Sequence, residues 1–345
     1  MRVLLVFALV GACTDPPAPA TYAWSLPAGF PTPKVPADNP MTDDKVALGR
    51  RLFYDTRMSG NGTQACASCH AQARAFTDGR VTALGSTGAT GRHNAMSLTN
   101  VAYNSTQTWA NPTVTDLESQ ARVPMFGTAP VELGLTEDSL LTSLRAEPRY
   151  QELFAAAFAD DDPITVTNTT RAIASFERTI ISGGSPFDRF TAGDHTAMTP
   201  AAQRGLALFE SDALGCRHCH GGFNFSNATD DRIQMFNTGL YNPYPATDRG
   251  LAEITNLAAD TGRFKPPTLR NVAVTAPYMH DGSVATLDDT IASYAHGGRA
   301  TNPDRSPLVT GFSITDDEKA DLIAFLGALT DDALLTDPAL ANPAD

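Results

Sequence analysis

The chain has 345 residues, 42% of them hydrophobic and 18% charged, with a formal net charge of −13. That length and apolar content suffice for two modest domains with cores of their own. The negative charge argues against nucleic acid and anionic membrane surfaces as partners; it suits a basic or neutral protein partner, or solubility alone.

In chain order, the first element is an export signal. Arg2 supplies a minimal positive region, and Val3 to Val10 form an apolar run far too short to span a bilayer. Val10-Gly11-Ala12-Cys13 resembles a bacterial lipobox, so residues 1–13 read as a signal segment, with Cys13 the expected lipid-anchored first residue of the mature protein. Ordinary signal cleavage nearby is the alternative, and either one takes the protein out of the cytoplasm. Residues 14–40, rich in Pro and Ala, read as a tether and extended lead-in, with Trp24 a local packing anchor. No later segment is long and apolar enough to cross a membrane.

A pattern then occurs twice. Met41-Thr42 precedes an amphipathic run with Gly49, Leu52 and Phe53, a loop, and Cys66-Ala67-Ser68-Cys69-His70. Met198-Thr199-Pro200 precedes Gly205, Leu208 and Phe209, a loop, and Cys216-Arg217-His218-Cys219-His220. Thr42 and Thr199 suit N-caps, and Pro200 suits the first helical position. Such a repeat predicts two related domains. Between its two copies, Leu140, Leu141 and Leu144, and then Ile173, Phe176 and Ile180, recur at helical spacing as core stripes. Gly183-Gly184-Ser185-Pro186 breaks the pattern, which places the boundary near 184–197 and the domains at 41–190 and 191–345. Thr315 and Glu318 form a capping box ahead of Leu322, Ile323, Leu326 and Leu329. Strand-like alternation is scarce, so the fold is expected to be mainly α with long loops.

C-x-x-C-H is the attachment pattern of c-type haem, in which two thiols bond the macrocycle and the His ligates iron. The two copies use four of the five cysteines. Zinc and paired disulfides are the alternatives, but zinc needs one closed set of four ligands, and these two groups are far apart and over-supplied for one ion. Two covalent haems c are therefore expected, on Cys66, Cys69 and His70 and on Cys216, Cys219 and His220, in two cytochrome c-like haem domains. Haem c is attached outside the cytoplasm, in agreement with the export signal.

With these motifs, Phe264-Lys265-Pro266-Pro267-Thr268-Leu269-Arg270-Asn271-Val272 and Pro277-Tyr278-Met279-His280-Asp281-Gly282-Ser283 resemble the bacterial di-haem cytochrome c peroxidase and MauG superfamily. The resemblance covers nearly everything from 40 to 330. Gly60-Asn61-Gly62-Thr63, Ala75-Phe76-Thr77-Asp78-Gly79 and Pro124-Met125-Phe126-Gly127 are most similar to the MauG-like MbnH enzymes associated with methanobactin operons.

The resemblance implies different duties for the two haems. Where ordinary family peroxidases give the second haem a Met as sixth ligand, this chain has Tyr294, as MauG does; Met279, Met235, His280 and His296 are the other residues that could serve. A thioether favours ferrous iron, whereas a phenolate stabilises ferric and higher states. Ordinary peroxidases also carry a His after the first motif that blocks the iron until reduction. Ala71 to Gly91 contains no His, so the iron on His70 is expected to be open to peroxide, with His93 falling beside the family's calcium loop.

The family's distal residues correspond to Gln120, Pro124 and Glu132, the last across a short insertion. Glu132 would move a proton from the near to the departing peroxide oxygen, and Gln120 would orient the peroxide. Trp109 corresponds to the residue lying between the haems, an electron relay there and otherwise a packing residue. Asn94, Thr275 and Pro277 correspond to a calcium site, with a metal-free loop network as the alternative. Glu118 reads as a solvated helix carboxylate, His280 as a support for the second haem's edge, and His195 as a surface residue.

The implied activity is that of a periplasmic enzyme using hydrogen peroxide to reach a high-valent di-iron(IV) haem state that oxidises a residue on a partner protein. In the MbnH case this converts tryptophan to kynurenine on a copper-binding partner. The competing functions are a cytochrome c peroxidase fed by a small electron carrier, and a non-catalytic electron-transfer protein.

Overall fold

The computed structural model describes residues 22–229 and 231–343. The export signal, Cys13 and the start of the tether lie outside the described residues. Among these, α1 (Asp43–Tyr54), α2 (Cys66–Cys69), α3 (Leu117–Phe126), α4 (Glu137–Arg145), α5 (Pro148–Ala157) and α6 (Val166–Glu177) form the first half. The second contains α7 (Pro186–Thr191), α8 (Pro200–Glu210), α9 (Ala252–Thr255), α10 (Leu287–Ala295), α11 (Asp316–Gly327) and α12 (Asp332–Thr336). One antiparallel ribbon, β1 (Phe236–Asn237) with β2 (Arg263–Phe264), completes a mainly helical fold, as expected.

The expected caps are present. Thr42 accepts from Lys45 N, Thr199 accepts from Ala202 N with Pro200 opening α8, and Thr315 and Glu318 close a capping box. Each half is then built on one close helix crossing. A Cβ placed on Gly49 of α1 would lie 1.8 Å from Ala172 O of α6, and one on Gly205 of α8 would lie 2.0 Å from Asp321 O of α11. Only glycine allows these backbones to meet.

The crossings bring equivalent aromatics together. Phe53 meets Phe176 with ring centroids 5.2 Å apart, and Phe209 meets Phe325 at 5.1 Å. Around them lie Phe76, Leu98, Val101 and Ile180 in the first half, next to a second cluster of Leu48, Leu52, Leu140, Leu144 and Ile173, and Phe225, Leu322 and Leu326 in the second half. The Phe187 and Phe190 side chains of α7 pack against the second core. There the buried Arg270 guanidinium pairs with Asp188 at 2.9 and 3.0 Å.

Two asparagines knit the halves. Asn100 and Asn271 both take left-handed backbone, φ 56° and 63°, a conformation Asn tolerates better than most residues. The Asn100 amide donates to Ser182 O and Asn224 Oδ1, at 3.0 and 3.1 Å. The Asn271 amide donates to Thr99 Oγ1 and Ser182 Oγ, at 3.2 and 3.1 Å, and its oxygen accepts from Asp331 N at 2.7 Å. Asp331 in turn accepts from the backbone of Gly183 and Gly184, at 3.0 and 2.9 Å. Beyond it the chain crosses back: Leu334 and Leu340 pack in the first half with Phe53 and Phe76, and Tyr54 donates to Leu340 O at 2.7 Å.

Two candidate haem centres

Cys66 and Cys69 stand one turn apart on α2, with His70 at its C-terminal end. His70 Nδ1 donates to Phe76 O at 2.9 Å, and His220 Nδ1 donates to Phe225 O at 3.1 Å. A carbonyl only accepts, so each Nδ1 carries the proton and each Nε2 is the nitrogen left with a lone pair. Both carbonyls come from strained turns: Phe76 and Phe225 hold φ 60° and 49°, where a bulky side chain is an outlier. The same strain in both halves, spent on the same hydrogen bond, marks these turns as ligand-orienting devices. Burial lowers the pKa of both histidines, keeping them neutral as iron ligation requires.

Burial pushes the thiols of Cys69, Cys216 and Cys219 up to about 11, and Cys66 higher still. They remain protonated and unpaired with one another. Among the described residues, no three His, Cys, Asp or Glu side chains converge as a zinc site requires. The donor set fits haem attachment and neither alternative.

A cavity opens beside each motif. The one beside Cys216, Cys219 and His220 has largely apolar walls, including Phe209, Phe264, Leu269 and Ile291, which fit a macrocycle. The one beside Cys69 and His70 carries Gln120, Pro124 and Glu132 together on its wall. Trp109 lines both cavities. Its indole Nε1 donates to Asn94 O at 2.9 Å, and its carbonyl accepts from Lys265 N at 2.8 Å, which fixes it from both sides.

In the first cavity α3 presents Gln120, Val123 and Pro124 at i, i+3 and i+4. Pro124 O accepts Leu133 N at 2.9 Å, drawing in the loop that carries Glu132. Among the described residues the Glu132 carboxylate has no hydrogen-bond or ion-pair partner. Burial raises its pKa, opposed by the nearby His93. Glu118 is a correction to the sequence reading. It is not a solvated carboxylate but forms a bidentate pair with buried Arg178, at 2.8 and 2.7 Å, and accepts from Asn39 at 2.7 Å.

In the second cavity α10 presents Leu287, Thr290, Ile291 and Tyr294 at i, i+3, i+4 and i+7. Among the described residues the Tyr294 hydroxyl has no hydrogen-bond partner. Burial pushes its pKa up, and the Cys219 and Cys216 thiols add to the effect. Of the other candidates, Met279 also lines this cavity but packs into the cluster of Leu240, Tyr244, Phe264 and Val284. His280 is stacked on Phe264, ring centroids 3.6 Å apart. His296 is exposed beyond α10 and bonded to Ala292 O at 2.6 Å, and neither it nor Met235 is on the cavity wall.

Sequence reasoning missed the group that joins the cavities from behind. Asp248 accepts from His93 Nε2 at 3.1 Å and from His280 Nε2 at 3.2 Å. Burial works against its charge, but the bonds from His280 and His93 outweigh it and hold the carboxyl well below the usual range. Asp248 lies in a motif-free loop 155 residues from His93, so no local signal could have found it.

Of the residues expected to hold calcium, Asn94 sits at a contact with the loop that carries His280. Asn94 N donates to His280 O at 2.8 Å, and the Asn94 amide nitrogen donates to Arg80 O at 2.6 Å, leaving its amide oxygen free. Among the described residues the carbonyls of Thr275 and Pro277 accept no hydrogen bond. These unspent oxygens are the donor type a hard cation takes. His195 is exposed, as expected.

Residues 43–196 match the family model described as di-haem cytochrome c peroxidase. The chain is 37% identical to a cytochrome-c peroxidase of Denitromonas iodatirespirans, over 98% of this chain and 96% of that protein. It is 36% identical to the methylamine utilization protein MauG of Methylorubrum extorquens, over 91% of this chain and 85% of that protein. A crystal structure of a MauG-like protein associated with microbial copper homeostasis superposes with TM-score 0.90 and 42% identity, over 93% of this chain and 99% of that one.

Proposed function

This chain belongs to the di-haem cytochrome c peroxidase and MauG family, and from that premise we propose that it works as MauG-like proteins do, oxidising a partner protein at the expense of hydrogen peroxide. It is a peroxide-dependent di-haem oxidoreductase. When bound, the two haems supply the redox chemistry, in which peroxide takes up two electrons and two protons to give two waters. The remaining duties fall to the chain.

At the first centre the unpartnered Glu132 carboxylate takes the proton from the near peroxide oxygen and returns it to the departing one. Gln120 orients the peroxide by hydrogen bonding, and Pro124 shapes the wall beside it. Trp109, on the wall of both cavities, carries electrons between them. The single observation that carries the reading is the unbonded hydroxyl of Tyr294 on the wall of the His220 cavity. Tyr294 would hold the second haem through its phenolate, which would disfavour ferrous iron and suit the centre to keeping an oxidising equivalent rather than delivering electrons.

The likeness to the MauG-like protein associated with copper homeostasis supports a copper-binding partner, and we take tryptophan, converted to kynurenine, as the target residue. A bound Ca²⁺ on Asn94, Thr275 and Pro277, export to the periplasm and a lipid anchor at Cys13 complete the proposal. The test is to treat oxidised holoprotein and a candidate copper-binding partner with peroxide, then map the partner's tryptophans by mass spectrometry. Oxidation confined to one tryptophan supports the proposal. Rapid steady turnover with a reduced small carrier, and an untouched partner, would identify an ordinary peroxidase.

A further inference from the structure

The wall of the second cavity carries a lysine that no carboxylate neutralises among the described residues. Lys265 is 3% exposed, and it is the one Lys or Arg among the residues lining this cavity. Its ammonium donates to Thr106 O at 2.9 Å, and among the described residues no carboxylate stands within ion-pair distance. An ammonium held in apolar surroundings without a counter-ion loses its charge readily, and burial alone drags this pKa down to about 7. A haem brings two propionate carboxylates into such a cavity.

We propose that Lys265 is the counter-ion of a propionate on the second haem, and that this pair ties the haem edge to the loop carrying Trp109. Both ends of Lys265 already grip that loop. Its backbone N–H donates to Trp109 O at 2.8 Å, and its side chain reaches Thr106 O. Thr106 Oγ1 in turn donates to Asn111 O at 2.7 Å, closing the turn around Trp109. Lys265 is thus a positioning residue, acting on the haem and on Trp109 without touching peroxide. The inference rests on a haem held at His220 and is independent of which protein or carrier the enzyme serves.

Spectroelectrochemistry of the holoprotein tests it, with haem content measured alongside. Lys265→Gln can keep the bond to Thr106 O but not the charge; Lys265→Met keeps neither; Lys265→Arg keeps the charge. With its propionate uncompensated, the second haem in the Gln and Met variants should favour ferric iron about tenfold more at fixed potential, about 59 mV for a one-electron couple. The first haem should be unmoved, and the Arg variant should stay near wild type. A wild-type potential in Lys265→Gln with both haems attached would overturn the proposal. So would a shift in the Met variant alone, which marks a purely structural role. Absence of a second haem from the wild-type protein would instead overturn the reading of the His220 site. A crystal structure of the wild-type holoprotein decides the point without variants. Nζ within about 4 Å of a propionate oxygen supports it, and Nζ on Thr106 alone, with both propionates elsewhere, overturns it.

Discussion

Glu132 carries the most demanding single-residue prediction. Its carboxylate works as a base only when ionised, and burial raises its pKa. The rate of reaction with peroxide should therefore climb as pH rises through that raised pKa. Glu132→Gln should lower the rate by ~10²–10⁴-fold and abolish this limb of the pH–rate profile, with haem content unchanged. Trp109→Phe keeps an aromatic between the cavities but removes the 2.9 Å bond to Asn94 O. The stability cost should be only about 0.5–1.5 kcal/mol. Stopped-flow spectra should nonetheless show the first haem responding to peroxide before the second, whereas the wild-type haems respond together. At this scale the sequence was readable only where a motif or a family correspondence existed. Gln120, Pro124 and Glu132 do line one cavity, and Tyr294 the other. Asp248 escaped because its meaning lies in partners that the fold alone brings near.

The helix crossings make a prediction in which two effects of opposite sign compete. Replacing a mid-helix Gly by Ala gains about 1 kcal/mol of helix propensity. At Gly49 and Gly205 the new methyl would collide with backbone oxygens of α6 and α11, and overpacking of this kind costs about 1–3 kcal/mol. The collision should win, so Gly205→Ala should lower the denaturant midpoint and loosen the second cavity. Gly327 of α11 is the control, since a Cβ there meets nothing within 4 Å. Gly327→Ala should be neutral or slightly stabilising. The Gly, Leu and Phe repeat was legible because helix packing depends on spacing. The left-handed Phe76 and Phe225 were not, because nothing about Phe as a residue type suggests positive φ. A second repeat, Leu98-Thr99-Asn100-Val101-Ala102 against Leu269-Arg270-Asn271-Val272-Ala273, was present in the sequence, but its purpose appears only once both asparagines meet at Ser182.

Across the whole molecule, the two halves are held by buried polar contacts and by a returning tail. Asp248 of the second half binds His93 of the first, and its carboxyl pKa is depressed in the fold. A depressed carboxylate contributes stability that is fully present above its unfolded value, about 3.9, and is lost as pH falls through its native pKa. The thermal unfolding midpoint of wild-type protein should therefore fall as pH drops below about 4. Asp248→Asn should be less stable at neutral pH, with a flatter loss on acidification. The equivalence of Gly49 with Gly205 and of Phe53 with Phe209 could be read from the repeated motifs. The return of Leu334 and Leu340 to the first core could not, because so short a segment shows no periodicity that would name its partner. The most direct measurement on the molecule as a whole adds stoichiometric hydrogen peroxide to the fully oxidised holoprotein, with no reductant, and follows optical and Mössbauer spectra. We expect an immediate, long-lived two-electron-oxidised state with both irons moved above ferric. No reaction until one haem has been reduced would contradict the MauG-like function and, with it, the role given to Tyr294.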